Sequence, residues 1–113
     1  MTARNPLSEA PPYAVESALR RLGQDLRTAR LRRNLTLDDV AGKIGAGRRA
    51  VSDAERGKPT TSVATYAALL WSYGLLGGFG DLAEPGRDVE GTTLARNKER
   101  TRARASGALN NDF

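Results

Sequence analysis

The segment from Leu35 to Gly57, LTLDDVAGKIGAGRRAVSDAERG, constrains the fold of this chain more than any other. Its apolar residues recur at helical spacing in two short runs, so we expect two amphipathic helices. The runs are separated by Gly45-Ala46-Gly47, a tight turn in which Gly45 can adopt the positive φ that ends a helix. Thr36 and Asp39 have the spacing of a capping box, which predicts that the first helix begins just after Thr36.

Two arginines, Arg48 and Arg49, open the second of these helices. The helix dipole places partial positive charge at that end, and each misplaced cation costs roughly 0.3–1 kcal/mol at an exposed site. A chain that keeps both cations there is expected to use them on a negatively charged partner. Because a helix whose N-terminal residues point outward is the arrangement with which a helix-turn-helix reads DNA, the pair predicts a contact with DNA.

The segments on either side also show helical periodicity. A first helix is predicted from Val15 to about Asn34, with an apolar stripe formed by Leu19, Leu22, Leu26 and Ala29. A fourth helix is predicted after a cap at Thr61 or Ser62, with an apolar face formed by Val63, Tyr66, Ala67, Leu70 and Tyr73. Residues 75–82 are apolar but contain three glycines, so a short fifth helix there is an open alternative.

These elements predict three segments. Residues 1–14 contain three prolines and are expected to form a flexible N-terminal arm, and residues 15–84 are expected to form one helical domain. Residues 85–113 are expected to form a basic polar tail that is flexible alone. Its run RNKERTRAR, residues 96–104, has three interpretations: an additional DNA contact, a segment that neutralises a toxin, or a solvated tail that only raises non-specific affinity.

The composition restricts the function. The 113 residues include neither cysteine nor histidine, which removes disulfides, the commonest general base and the usual zinc ligands. We therefore expect no enzyme, no cofactor and no metal site. A net charge of +5 favours a polyanionic partner, with nucleic acid ahead of a membrane surface. Because no apolar run suits a membrane span or a secretory leader, we expect a cytoplasmic protein.

The chain from Leu26 to about Leu82 resembles the Xre/Cro-type helix-turn-helix domain, which is found in phage repressors and bacterial antitoxins. The matching pieces are Leu26-x-x-x-Arg30, Leu35-Thr36-x-x-x-Val40-Ala41, Ile44-Gly45, Val51-Ser52, Glu55-x-Gly57 and Tyr73-Gly74. The resemblance implies an all-α fold, a compact four- to five-helix bundle of the lambda-repressor-like type with flexible N- and C-terminal arms. The recognition helix would span about residues 48–56.

This chain departs from the family pattern at two positions. Leu37 stands where the family often has a glutamine that touches phosphate or base, so that contact should be absent. Gly47 stands where a serine or threonine often caps the recognition helix, so this helix should be poorly capped. More of the binding is then expected to depend on Arg48, Arg49 and the basic flanks.

The resemblance places Arg48 and Arg49 where side chains read base edges, although phosphate contact and a pair of solvated surface arginines are open alternatives. Ser52 could reach a base or a phosphate. Asp53 could accept from a cytosine amine, disfavour wrong sites, or be a solvated residue. The full set expected at the DNA comprises Thr36, Gly47, Arg48, Arg49, Ser52, Asp53, Arg56, Lys58 and Thr60, of which Arg56, Lys58 and Thr60 suit phosphates and Thr36 is a cap that could also meet one.

Two further sets complete the prediction. The resemblance implies a partly buried structural ion pair between Arg30 and Glu55. Trp71 lies off the apolar face of the fourth helix, where an exposed tryptophan is often an interface anchor, although packing against the chain's own arm or fifth helix is the alternative. We expect a dimer interface formed by Trp71, Leu75, Leu76 and Phe79.

The leading hypothesis is a sequence-specific transcriptional repressor that binds double-stranded DNA as a homodimer on a near-palindromic operator. The alternative is an antitoxin whose main role is to bind and neutralise a kinase-type toxin while it represses its own operon.

Overall fold

The computed structural model describes residues 5–110, with side chains to residue 107. Residues 1–4 and 111–113, the outer ends of the predicted arm and tail, lie outside the described residues. The described chain contains α-helices, two 3₁₀ turns and no β-strand, so the predicted all-α class is confirmed. The helices are α1 (Pro6–Glu9), α2 (Tyr13–Arg32), α3 (Leu37–Ile44), α4 (Arg48–Glu55), α5 (Val63–Ser72) and α6 (Val89–Asn110).

The chain divides into two compact units, residues 1–77 and residues 78–113. The first unit holds α1 to α5, in which α4 packs against α2, α3 and α5. Its core centres on four side chains that are fully buried, one from each of α2 to α5: Leu26, Val40, Val51 and Leu69. Since burying an aliphatic side chain of this size contributes about 1.5–3 kcal/mol, these contacts hold α3 and α4 in a fixed mutual orientation.

Local sequence signals explain where the helices begin and end. The capping box at α3 is confirmed: the Thr36 hydroxyl accepts from the Asp39 backbone N–H, and the Asp39 carboxylate accepts from the Thr36 N–H. Gly45 ends α3 with a φ of 74°, as predicted. Ser62 caps α5 through the Thr65 N–H. These caps are local, which is why the sequence predicts them.

The inward face of α5 differs from its prediction. Tyr66 and Tyr73 are buried as expected, but Val63 is exposed and Leu69, which the periodicity did not single out, is fully buried. The cause is that α5, VATYAALLWS, is apolar on most of its faces, so spacing alone does not distinguish the buried one. The possible fifth helix of residues 75–82 is only a 3₁₀ turn at Phe79–Asp81.

Helical structure also occurs in both terminal segments. In the N-terminal segment, Asn5 caps α1 through the Leu7 N–H, with Pro6 at the first helical position, where proline is favourable. In the second unit, a 3₁₀ turn at Pro85–Arg87 leads into α6. The sequence of α6 is rich in Ala, Arg, Lys, Glu and Thr. Of these, Ala, Arg, Lys and Glu are strong helix formers.

Candidate nucleic-acid interface

The unit formed by α3, the Gly45–Gly47 turn and α4 positions the candidate interface. The Ala46 N–H donates to the Ala41 carbonyl over 3.0 Å, which closes the turn at the end of α3. Gly47 is the N-cap of α4, with extended backbone and no side-chain hydrogen bond to the helix. The predicted absence of a cap at this position is thus a feature of the structure.

The N-terminus of α4 carries two exposed cations. Arg48 and Arg49 lie in its first turn, which contains no acidic residue. The Arg48 guanidinium is 3.9 Å from the Asp38 carboxylate, and both side chains are largely exposed. Because an exposed pair at this distance contributes at most about 1 kcal/mol, Arg48 can exchange this partner for a phosphate or a base.

Most of the predicted site residues lie around one shallow surface depression on α4. We call it the basic depression, because four of its lining side chains are cationic and one is a carboxylate. Its lining residues are Leu37, Arg48, Arg49, Ser52, Asp53, Arg56 and Lys58. A concave surface with this excess of cations attracts anionic ligands.

Leu37 is the lining residue that the sequence analysis did not assign to binding. It is the first residue of α3 and is half-buried against the core. Leu37, which stands where the family often has a glutamine, therefore places an apolar patch beside Arg48 and Arg49. The thymine methyl group is the part of a base pair that such a patch can contact.

Asp53 and Lys58 form an ion pair within the depression, with 3.2 Å between the Lys58 ammonium and the Asp53 carboxylate. The Lys58 backbone N–H also donates to the Asp53 carbonyl, over 3.1 Å. The buried Tyr66 donates its hydroxyl proton to the Lys58 carbonyl. The carboxylate of Asp53 thus holds a cation in place, a role that the sequence analysis did not assign to it.

Thr36 and Thr60 lie outside the lining of the depression. The Thr36 backbone N–H donates to the Asp39 carboxylate and the Thr36 hydroxyl accepts from the Asp39 N–H, so both groups are engaged in the cap. Hydrogen bonds from the backbone N–H and the side chain of Thr36 hold the pKa of the Asp39 carboxyl below its ordinary value. With Asp38 beside it, the first turn of α3 is acidic, which opposes a phosphate beside Thr36. Thr60 is exposed in the turn that follows Lys58.

The buried ion pair between Arg30 and Glu55 ties the C-terminal end of α4 to α2. Nε of Arg30 donates to Glu55 over 2.7 Å and Nη2 over 3.0 Å, while Nη1 donates to the Leu35 carbonyl over 2.9 Å. Their side chains are only 10% and 7% exposed. The hydrogen bonds to Glu55 raise the pKa of Arg30, so its guanidinium stays charged.

Two glycines that the sequence analysis did not connect set the distance between α2 and the end of α4. A Cβ atom on Gly23 would lie 2.6 Å from the Ala54 carbonyl oxygen, and one on Gly57 would lie 2.5 Å from the Leu19 carbonyl oxygen. Gly57 also has a φ of 69°, which disfavours any other residue. An isolated glycine in the periodic stripe of α2 was the available signal.

The residues predicted to form a dimer interface fall in both units. Trp71 and Leu75 are 59% and 50% exposed in the first unit, and Leu76 beside them is half-buried. Phe79 is half-buried in the 3₁₀ turn of the second unit. The first unit therefore presents an apolar surface at the end of α5, defined by Trp71 and Leu75.

The described residues contain no group of three or more histidine, cysteine, aspartate or glutamate residues arranged to hold a metal ion. Among the described helices, none is long and apolar enough to cross a membrane.

The fold and this interface define the class of helix-turn-helix DNA-binding regulators. Residues 21–78 match the family model of the helix-turn-helix domain, and the chain belongs to that family. The match covers α3, the turn, α4 and α5, together with most of α2. Comparison with curated proteins and with solved structures gave no match.

Proposed function

We propose that this protein is a transcriptional repressor of the Xre/Cro type that binds a near-palindromic operator as a homodimer, with α4 in the major groove. The observation that carries the proposal is the basic depression, where Arg48 and Arg49 stand exposed at an uncapped helix N-terminus. Both cations are unfavourable to the helix dipole, whereas a major-groove helix presents its N-terminal residues to base edges.

The cations of the basic depression are assigned to two kinds of DNA contact. Arg48 and Arg49, in the first turn, are assigned to base edges, where a bidentate contact with guanine is worth about 1–3 kcal/mol of discrimination. Lys58, held by Asp53, and Arg56, at the end of α4, are assigned to phosphates that set the register. Ser52, one turn along α4 from the arginines, is assigned to the same groove.

The test begins with selection of bound sequences from a random pool, which yields the operator. Arg48→Ala and Arg49→Ala should then weaken binding to the operator by about 10- to 100-fold and binding to random DNA much less. Arg56→Ala and Lys58→Ala should weaken both by similar factors and lower the salt dependence. Gel-shift titrations at several salt concentrations measure all four variants. Equal losses on both DNAs for the Arg48 and Arg49 variants would reject base reading.

The surface defined by Trp71 and Leu75 supports the homodimer. Tryptophan is enriched at the buried centre of protein interfaces, and Trp71 is exposed on this surface. In a dimer formed there, the two copies of α4 would meet successive major-groove turns, about 34 Å apart. The expected operator therefore has two half-sites related by two-fold symmetry.

The proposal includes no catalysis, metal or cofactor. The protein contains neither histidine nor cysteine, and the one carboxylate of the basic depression is paired with Lys58. A base that is already engaged by an ammonium is poorly suited to abstract a proton.

A second candidate function is that of an antitoxin that binds a kinase-type toxin and represses its own operon. It is favoured by the same surface at Trp71, which a heterologous protein could cover in place of a second copy. Co-purification of the native complex distinguishes the two. A protein that purifies alone and represses only through its operator would exclude the antitoxin.

A further inference from the structure

Helix α6, Val89–Asn110, is exposed over most of its described length. From residue 89 to residue 106, every residue except Gly91 is exposed. Its first turn is closed by Asp88, which accepts from the Gly91 N–H over 2.9 Å. Because helices in proteins gain most of their stability by packing against other elements, an exposed 22-residue helix is suited to stabilisation by a partner.

The charges of α6 indicate the chemistry of that partner. The helix carries five cations against two carboxylates, Glu90 and Glu99. Glu90 lies in the first turn, where a negative charge is favourable to the helix itself. The remaining length is strongly basic, so the partner is polyanionic.

The cations form two rows on opposite sides of α6. Arg96, Arg100 and Arg104 follow one another at intervals of four residues and lie on one side. Lys98 and Arg102 form the second row, displaced by two residues and therefore by roughly 200° around the axis. A flat anionic surface would meet only one of these rows. Two rows match a groove with negative charge on both walls.

The major groove of DNA has those dimensions. It is about 12 Å wide, it is bordered by a phosphate backbone on each side, and it admits a helix of about 10–12 Å diameter. The two arcs between the rows also differ. Glu99 occupies one arc, which would face solvent. Leu94, Asn97 and Thr101 occupy the other, which at the first turn, before the basic run begins, also contains Glu90. Asparagine pairs with adenine and apolar atoms contact the thymine methyl, so the second arc suits the groove floor.

We propose that α6 is a second DNA-binding helix, which inserts into a major groove with Arg96, Arg100 and Arg104 on one phosphate backbone and Lys98 and Arg102 on the other. The proposal rests on DNA binding by α4 and adds a second, separately mutable element. Two tethered contacts on one DNA molecule raise the affinity by more than either contact alone.

The experiment compares full-length variants on a mixed-sequence duplex between about 50 and 200 mM salt. The triple variant R96A/R100A/R104A and the double variant K98A/R102A each remove one row, and alanine preserves the helix, which circular dichroism checks. The slope of log K against log salt is negative, and each lost phosphate contact should make it shallower by about 0.9. We therefore expect the magnitude of the slope to fall by about 2–3 for R96A/R100A/R104A and by about 2 for K98A/R102A. A decrease for only one row would reject insertion into a groove.

Controls separate this inference from the proposed function. Arg27→Ala/Arg32→Ala removes two exposed cations of α2 and should change the slope less than K98A/R102A does. Glu99→Gln should leave DNA affinity unchanged or raise it, and a clear loss would contradict the assigned orientation. If α4 variants lose DNA binding while both row variants bind as the unaltered protein does, the role of α6 is refuted and the proposed function stands. If the unaltered protein binds no DNA, both fail.

Discussion

Arg30 reaches three oxygen acceptors from inside the first unit, two on Glu55 and one on the backbone of Leu35. The side chain therefore joins α2 both to the end of α4 and to the segment before α3. A charge buried in this way is costly without its partner, since desolvation is no longer offset. The pair thus fixes the orientation of α4 more than it adds to the total stability.

We predict that Glu55→Ala destabilises the fold by about 3–5 kcal/mol, because it leaves the Arg30 charge buried and unpaired. The double variant Arg30→Met/Glu55→Met should be less destabilised than Glu55→Ala, since no charge is then stranded. Urea unfolding of the variants measures both differences. Additive losses for the two positions would contradict this account of the pair.

Gly23 provides a second test at the scale of one residue. A Cβ there would lie 2.6–2.8 Å from backbone atoms of Ala54, Glu55 and Gly57, so Gly23→Ala must separate α2 from α4. We expect a loss of about 1–3 kcal/mol, the usual cost of overpacking. Gly42→Ala is the matched control on α3, where a Cβ meets nothing within 4 Å. It should stabilise by about 0.5–1 kcal/mol. Thermal unfolding distinguishes the two, and similar effects at both positions would refute the close approach.

At the scale of elements, the N-termini of α3 and α4 differ in their caps and in the sign of their charges. Helix α3 begins with a complete capping box and two carboxylates, all favourable to the dipole. Helix α4 begins with a glycine that makes no side-chain cap and with two arginines, all less favourable. Local stability is therefore concentrated in the helix that supports the interface, whereas the helix assigned to the DNA has charges suited to an anionic ligand.

The cap of α3 predicts a dependence of stability on acid. Hydrogen bonds from Thr36 lower the pKa of Asp39 below its ordinary value of 3.8. A carboxyl with a lowered pKa in the folded state contributes stability that is fully present above pH 3.8 and is lost as the pH falls through the lower folded value. Asp39→Asn, which does not titrate, should therefore show a smaller loss of stability in this acid range than the unaltered protein.

Urea unfolding between neutral pH and the acid range measures the effect. Thr36→Val is the companion variant, because it removes the hydroxyl that bonds to Asp39 while leaving the Asp39 carboxyl in place. The acid dependence due to Asp39 should shrink in this variant too. An unchanged pH profile in both variants would show that the cap does not control the titration.

At the scale of the whole molecule, the surface defined by Trp71 and Leu75 predicts the state of assembly. Trp71→Gln should shift a homodimer to monomer and weaken operator binding by at least 10-fold, because one half-site then binds alone. The fold should persist, since Trp71 is 59% exposed and is not one of the buried core residues. Sedimentation equilibrium measures the mass, and gel shift on the selected operator measures the affinity.

Val63→Gln is the matched control for the dimer. Val63 is an exposed apolar residue at the other end of α5, and its replacement also removes apolar surface without adding charge. It should leave the mass unchanged. If Trp71→Gln and Val63→Gln have the same mass as the unaltered protein at every concentration, the proposed dimer surface is wrong.

The order of the residues was enough to predict the elements of the helix-turn-helix. Thr36 with Asp39, Gly45, and Ser62 act through hydrogen bonds or dihedral angles within a few residues, so their effect is visible in the order of the residues. The apolar stripe of α2 likewise predicted the buried Leu26 and Ala29. The all-α class and the location of α4 could therefore be predicted before the structure was known.

Which side chains meet across elements depends on the tertiary packing. The close approach at Gly23 and the burial of Leu69 in place of Val63 depend on how one element packs on another. So does the joining of Leu37 to the two arginines in one depression. Helical periodicity records which residues share a face of one helix, but the partner of that face is set by packing between segments that are distant in the chain.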